Sequence, residues 1–201
     1  RDAFLSYSAK SFQELKSNSK IGTSSFRRQA QLNLLRADLE IVTMRGNIDT
    51  RIKKLKNQEY DAIVLSLAGI KMLNLLNEVK EVFTIEQMIP AVGQGAIALQ
   101  CKKNDEKTLQ ILNLINHKET FYCIEAERAL LEAIGGDCDT AIGGLAQLSN
   151  DKIFLKSELF SNDGKKKFEF QSSGHFSEAK EIGYKVGKEL LKKAGPNFTV
   201  Q

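Results

Sequence analysis

Asp61-Ala62-Ile63-Val64-Leu65-Ser66-Leu67 is an almost unbroken apolar run. A run this short, without polar alternation, reads as a strand buried on both faces, inside a sheet that helices cover on either side. Just downstream, Ala68-Gly69 turns into a helix carrying Ile70, Leu73 and Leu76. Upstream, Leu39 to Met44 reads as a strand, and Ile48, Ile52 and Leu55 fall at helical spacing. Further upstream, Ile21 ends a short strand. Ser24 or Ser25 then stands ready to cap a helix whose apolar face includes Phe26, Ala30 and Leu34. Strands and helices alternate over residues 20–89. That alternation predicts βαβ units on a parallel sheet. The first ordered element is expected to be an amphipathic piece around Phe12, Leu15 and Lys16.

Beyond residue 89 the pattern changes. Pro90-Ala91-Val92-Gly93-Gln94-Gly95-Ala96 is a glycine-rich crossing segment. Gly93-Gln94-Gly95 shares part of a dinucleotide fingerprint, but Ala98 replaces the third glycine, so a hinge or crossing is the better reading. Ile97 to Cys101 reads as a strand and about Asp105 to Ile115 as a helix, with Leu109, Leu112 and Ile115 on one face. A helix over Thr120 to Ile134 carries Ile124, Ala126, Leu130 and Ala133 and stops at Gly135-Gly136. Three strands follow, over 140–147, 153–160 and 167–172, with Asn162-Asp163-Gly164 as the hairpin turn between the last two. A closing helix carries Ala179, Ile182, Val186 and Leu190 and ends at Gly195-Pro196. The expected fold is therefore an α/β domain of parallel βαβ type, followed by a small C-terminal α+β domain with a three-stranded sheet.

Composition narrows the functional classes. The chain of 201 residues is 42% apolar and 27% charged, with a net charge of +4. Its basic residues are interleaved with acidic ones, which argues against nucleic acid as a partner. No apolar stretch approaches the length of a membrane span. The three cysteines, Cys101, Cys123 and Cys138, form no CxxC motif, and His117 and His175 are far apart. Neither a disulfide scaffold nor a metal site is expected, and the setting reads as reducing and cytoplasmic.

Two basic turns carry the functional signal. In sheets of this type ligands sit at the carboxyl ends of the strands. Thr23, Ser24 and Ser25 follow one strand end and lead into Arg27 and Arg28; Arg45 follows the next strand end, with Arg51 six residues further on. Helix N-termini and hydroxyls supply donors, and guanidinium forks match carboxylates. A ligand with several negative charges is the inference. The plainer alternative is helix capping with a solvated arginine pair. Adjacent helix residues differ by about a hundred degrees in direction, so both arginines are not expected on one stripe.

Cys138 lies in the loop Gly135-Gly136-Asp137-Cys138-Asp139-Thr140. It is accessible enough to be an attachment point, though the flanking acids disfavour a thiolate and an inert turn cysteine is the competing reading. Cys101 and Cys123 read as structural. His117 has no identifiable carboxylate partner and reads as a capping or packing residue.

Several segments together resemble the porphobilinogen deaminase (hydroxymethylbilane synthase) family. They are Ile21-Gly22-Thr23-Ser24-Ser25-Phe26-Arg27-Arg28, Arg45-Gly46-Asn47, Thr50-Arg51, Tyr60-Asp61-Ala62-Ile63-Val64, Ala68-Gly69, Pro90 to Ala96, and Glu125-Ala126-Glu127-Arg128-Ala129. The resemblance implies an enzyme of haem biosynthesis with three domains. It joins four porphobilinogen molecules with loss of ammonia and releases hydroxymethylbilane. It further implies a dipyrromethane cofactor held covalently by Cys138, with Arg27, Arg28, Arg45 and Arg51 binding acetate and propionate groups and Thr23, Ser24, Ser25 and Gln94 lining the cleft. The family's catalytic aspartate falls before Arg1, so the chain is expected to be a fragment lacking most of the N-terminal domain, inactive alone and with Cys138 a free thiol.

The expected division is 1–90 as the second, cleft-forming domain, 91–117 as a crossover belonging to the first, and 118–201 as the C-terminal domain with the cofactor cysteine. Residues 96–115 would lack their sheet partners, which predicts exposed apolar surface, rearrangement, disorder or self-association, whereas the complete enzyme is expected to be a monomer. Two departures from the family pattern are the Gly135-Gly136-Asp137-Cys138 loop, in place of Glu-Gly-Gly-Cys, and Met72 in place of a cleft arginine. Arg27→Ala is expected to impair cofactor assembly or elongation while sparing the fold. The alternative reading is a carboxylate- or polyanion-binding module of periplasmic-binding-protein type without catalysis.

Overall fold

The computed structural model describes residues 1–137, 139–161, 163–196 and 198. Strands β1 (Asp2–Ser6), β2 (Lys20–Gly22), β3 (Glu40–Val42), β4 (Ala62–Ser66) and β5 (Glu81–Val82) form one sheet in the order β3-β2-β4-β1-β5. β2 runs parallel to β3 and β4, whereas β1 runs antiparallel to β4 and β5. The sheet is therefore mixed, not wholly parallel. Two strands are absent from the sequence reading: the short edge strand β5, and β1, which precedes the piece around Phe12. That piece proves to be turns that bury Phe12 and Leu15.

Period-two alternation on the two central strands shows why the sheet is buried on both sides. Phe4 of β1 and Ala62 and Val64 of β4 face one cluster with Phe12, Leu15, Ile21, Leu32 and Phe83. Ala3 and Leu5, with Ile63 and Leu65, face the other, against Met44, Ile52, Leu55 and Ile70. The rings of Phe4, Phe12 and Phe83 meet edge to face, with centroids 5.4–6.4 Å apart. Each such buried side chain contributes roughly 1.5–3 kcal/mol.

Helices α1 (Phe26–Leu35), α2 (Ile48–Lys56) and α3 (Leu67–Met72) follow β2, β3 and β4. α1 departs from the expected apolar face. It buries Arg27, Arg28, Ala30, Gln31 and Leu32, while Phe26 and Leu34 are exposed. Its inward side is polar because a buried acid waits there. α3 is shorter than expected, ending before Leu73, and Asn74 takes a left-handed φ of 57°. Leu73 and Leu76 are consequently exposed.

The expected strand over Ile97 to Cys101 does not form; these residues are irregular and mostly exposed. A strand needs a partner for its backbone groups, and none is within reach among the described residues. α4 (Glu106–Ile115) does form, capped by Asp105, but buries none of its residues.

The C-terminal part follows its sequence pattern closely. α5 (Lys118–Ile134) is capped by the His117 side chain and ended by a left-handed Gly135. β6 (Ile142–Ser149), β7 (Lys152–Phe160) and β8 (Lys167–His175) make an antiparallel sheet in that order, and α6 (Ala179–Ala194) closes the chain. Ala126, Leu130, Ile153, Leu155, Leu159, Val186 and Leu190 form its core. α5 and α6 approach closely at Gly183, where an added Cβ would lie 2.2 Å from the Ala126 carbonyl.

Candidate anion-binding site

β2 ends at Gly22, and Thr23, which is fully buried, donates its backbone N–H to the Val42 carbonyl of β3 at 3.0 Å. This fixes the turn that launches α1. Ser25 is the N-cap, its hydroxyl accepting from the Arg28 N–H at 3.4 Å. Ser25 thus serves the helix, whereas Ser24 is half-buried and accepts from Nη2 of Arg51 at 3.2 Å.

Arg27 and Arg28 both reach Asp2 at the start of β1. Arg27 Nη1 lies 2.8 Å from Oδ2, while Arg28 places Nε and Nη2 at 2.9 and 2.8 Å from Oδ1. The separation expected between adjacent helical positions does not keep them apart, because each charge sits at the end of a long, flexible stem. Arg27 Nη1 also donates to the Ile89 carbonyl at 2.6 Å, and Arg28 Nη1 to that of Val64 at 3.2 Å. Gln94 completes the group. Its Oε1 accepts from Nη2 of Arg27 and of Arg28 at 3.3 and 3.5 Å, and its Nε2 donates to Asp2 Oδ1 at 3.2 Å. Gln31 ties the same region to the crossing segment, donating to the Ile89 carbonyl at 3.2 Å and accepting from its N–H at 2.8 Å.

Arg51 is half-buried beside this cluster, with Nε on the Gly46 carbonyl at 2.8 Å. Burial first, and then the neighbouring Arg28 charge, pull its pKa below the ordinary value. Arg45 is exposed on the preceding turn, with no hydrogen bond or ion pair among the described residues. Burial alone would push the Asp2 carboxyl up, but the guanidiniums of Arg27 and Arg28 hold it below its ordinary value. Burial likewise pulls Arg27 down, against the attraction of Asp2.

The structure therefore brings together Arg27, Arg28, Gln94, Ser24 and Arg51; Arg45 is exposed on the turn after β3, with no hydrogen bond or ion pair to this group among the described residues, and Cys138 lies outside the described residues. Three guanidiniums against one carboxylate leave the cluster positive, and Arg27 Nε is buried with no hydrogen-bond partner among the described residues. Such an arrangement suits an acceptor-rich anion. It also corrects one expectation: Arg27 is part of the fold, so Arg27→Ala would not spare it.

Two acids of this region were given no role by the sequence. Asp2 is a single acid opening an apolar strand. Glu127 lies on the apolar stripe of α5 and is 4% exposed, accepting from the Gly93 and Ala146 N–H groups at 2.7 and 2.9 Å. In both cases an acid at a core position was the available signal. A cavity of about 280 Å³ lies against Pro90, Gly95, His117, Cys123 and Glu127; none of the four arginines lines it.

Residues 1–110 match the family model described as porphobilinogen deaminase, dipyromethane cofactor binding domain, and residues 121–192 match porphobilinogen deaminase, C-terminal domain. The chain belongs to the porphobilinogen deaminase family. A porphobilinogen deaminase of Syntrophomonas wolfei is 38% identical over 195 residues, which cover 97% of this chain and 64% of that relative. The chain thus spans just under two thirds of that relative's length. The first porphobilinogen deaminase match takes in the five-stranded sheet, the whole arginine cluster and Gln94; the second takes in Glu127 and the three-stranded sheet. Among the described residues no helix is long and apolar enough to cross a membrane.

Proposed function

We propose that this chain supplies the carboxylate-binding cleft of a porphobilinogen deaminase, which condenses four porphobilinogen molecules to hydroxymethylbilane in tetrapyrrole synthesis, in the cytoplasm. The observation that carries the reading is the positive cluster of Arg27, Arg28 and Arg51 around Asp2 and Ser24, at the carboxyl ends of β2 and β3. Each pyrrole brings two carboxylates, so a growing chain accumulates charge that fixed guanidiniums balance.

The donor set fits a dipyrromethane cofactor: guanidiniums and hydroxyls face an acid-rich guest, and an orphaned donor on Arg27 lies within the set. Arg51, Arg45 and Ser24 would hold its acetate and propionate groups, with Cys138 as the covalent anchor; when bound, the group supplies the primer on which the pyrrole chain is extended. Arg27 and Arg28 keep the cleft positive while Asp2 and Gln94 fix their orientation. Thr23 and Ser25 set the turn from which α1 starts.

In the same reading, residues 1–90, 91–117 and 118–201 are separate units of a longer enzyme that is itself a monomer, and 96–115 packs on the part this chain does not contain. Ile97, Leu114 and Ile115 are 63–85% exposed, so without that part this face is available for self-association. Turnover, in this reading, is a property of the longer protein, and Cys138 is a free thiol in this chain.

The test is intact-mass analysis and Ehrlich-reagent colour of the longer protein, with Cys138→Ser as control. A mass increment of one dipyrromethane, lost in the serine variant, is the expected result. Turnover by the serine variant would refute the anchor, and polyacid binding without turnover would favour a non-catalytic binding module.

A further inference from the structure

Glu127 belongs to the C-terminal core by position, yet its carboxylate serves two other segments. Oε1 accepts from the Ala146 N–H of β6 at 2.9 Å, and Oε2 accepts from the Gly93 N–H of the crossing segment at 2.7 Å. A carboxylate on the apolar side of a helix is disfavoured unless it is fully partnered, and here both oxygens are. Burial pushes the Glu127 carboxyl up, while the two amides that it accepts from pull it the other way.

Gly93 is the informative partner. Its φ is +73°, and a Cβ placed there would meet nothing within 4 Å. Glycine is required at this position by backbone conformation and not by crowding. The turn is closed by the Gln94 N–H on the Ala91 carbonyl at 3.0 Å. The next side chain is Gln94, whose amide touches Arg27, Arg28 and Asp2 at once. A single backbone step thus separates the Glu127 bond from the group that mediates between the arginine pair and its counter-ion.

We propose that Glu127 is a positioning residue for the arginine cluster: by fixing the left-handed turn at Gly93 it places the Gln94 amide, and so sets how Arg27 and Arg28 are presented to a carboxylate guest. The inference rests on the reading of that cluster as a carboxylate site. The competing account is that Glu127 only ties α5 to β6 through Ala146.

The experiment is calorimetric titration of this chain with a synthetic dipyrromethane carrying acetate and propionate groups. The variants are Glu127→Gln, Gln94→Ala, their double, Gly93→Ala and Arg51→Ala, each with its thermal midpoint. Coupling through one contact chain predicts that Glu127→Gln weakens affinity about five- to tenfold and adds little on top of Gln94→Ala. Gly93→Ala, which keeps the carboxylate but strains the turn, should weaken affinity similarly. It also decides the question if Glu127→Gln does not fold.

A lowered midpoint with unchanged affinity in Glu127→Gln and Gly93→Ala overturns the positioning role, as does a double variant whose losses multiply. Arg51→Ala separates the two layers. If it weakens binding while Glu127→Gln does not, only the positioning role falls. If neither changes binding, or the parent chain does not bind the probe, the carboxylate-site reading falls and takes the positioning role with it.

Discussion

Asp2 Oδ2 and Arg27 Nη1 meet at 2.8 Å, with the two side chains 0% and 2% exposed. The pair joins the first strand of the central sheet to the first turn of α1, and Arg28 shares the same acid. Removing one member of a buried ion pair leaves an uncompensated charge, at a cost of about 3–5 kcal/mol. Asp2→Ala should therefore destabilise by about that amount, since it strands two guanidiniums. Asp2→Asn, which keeps an acceptor, should cost less. Urea unfolding followed by circular dichroism measures both.

Acid should reveal the same pair. The folded-state pKa of Asp2 lies below its ordinary value of 3.8. Its contribution to stability is therefore complete above pH 3.8 and is lost as the pH falls through the depressed value. Stability curves for the parent and Asp2→Asn should converge below that pH and separate above it. Glu127 acts in the opposite sense. Its pKa is raised above 4.5, so its ionisation costs stability as the pH rises through the folded value. Parallel curves for the parent and Asp2→Asn would contradict the first assignment.

Arg45 should divide binding from folding. It is exposed and makes no ion pair among the described residues, so Arg45→Ala should change stability by no more than about 0.5 kcal/mol. Affinity for a dipyrromethane bearing acetate and propionate groups should fall about two- to fivefold, more at low salt than at high, since an exposed charge is screened. Calorimetry at two ionic strengths reads both effects.

Gly183 is a packing constraint. A methyl group there would lie 2.2 Å from the Ala126 carbonyl and 2.7 Å from the Ala129 Cβ, both on α5. Gly183→Ala should cost about 1–3 kcal/mol by overpacking, with α5 and α6 forced apart. A thermal midpoint equal to that of the parent would show that the helices yield more easily than the structure implies.

α4 should be the least protected helix. It has ten residues, buries none, and is shorter than isolated helices need in water, about 12–15 residues. Its amides should exchange with solvent far faster than those around Leu130 in α5, as measured by hydrogen–deuterium exchange.

Much of this architecture was legible in the residues. The apolar run at 62–66 and the 3.6-residue spacing of Ala179, Ile182, Val186 and Leu190 announce a buried strand and an amphipathic helix, because in both the environment is set by local periodicity. β1 was not legible. Its five residues include an acid and a serine, and their burial comes from β4 and β5, some sixty and eighty positions away. The inward face of α1 was misread for a related reason. Arg27, Arg28 and Gln31 look like a solvent face until Asp2 and Ile89 are placed beneath them. The segment at 97–101 failed as a strand because alternation alone supplies no partner for its amides. Of the candidate site, the arginines and Gln94 stood out as residue types in a pattern, whereas Asp2 and Glu127 showed only as acids at apolar positions, and their partners become apparent only in three dimensions.

The short stretch from Ile89 to Gly93 is gripped from two directions, by Arg27 and Gln31 of α1 and by Glu127 of α5. Pulling the two sheets apart would have to strip a helix from this rivet along with the contacts beside it. Under load the molecule should therefore give way first at these side-chain bonds, the Gly144–Pro90 backbone bond and the small Ala30–Ala141–Phe160 contact, with both sheets still intact.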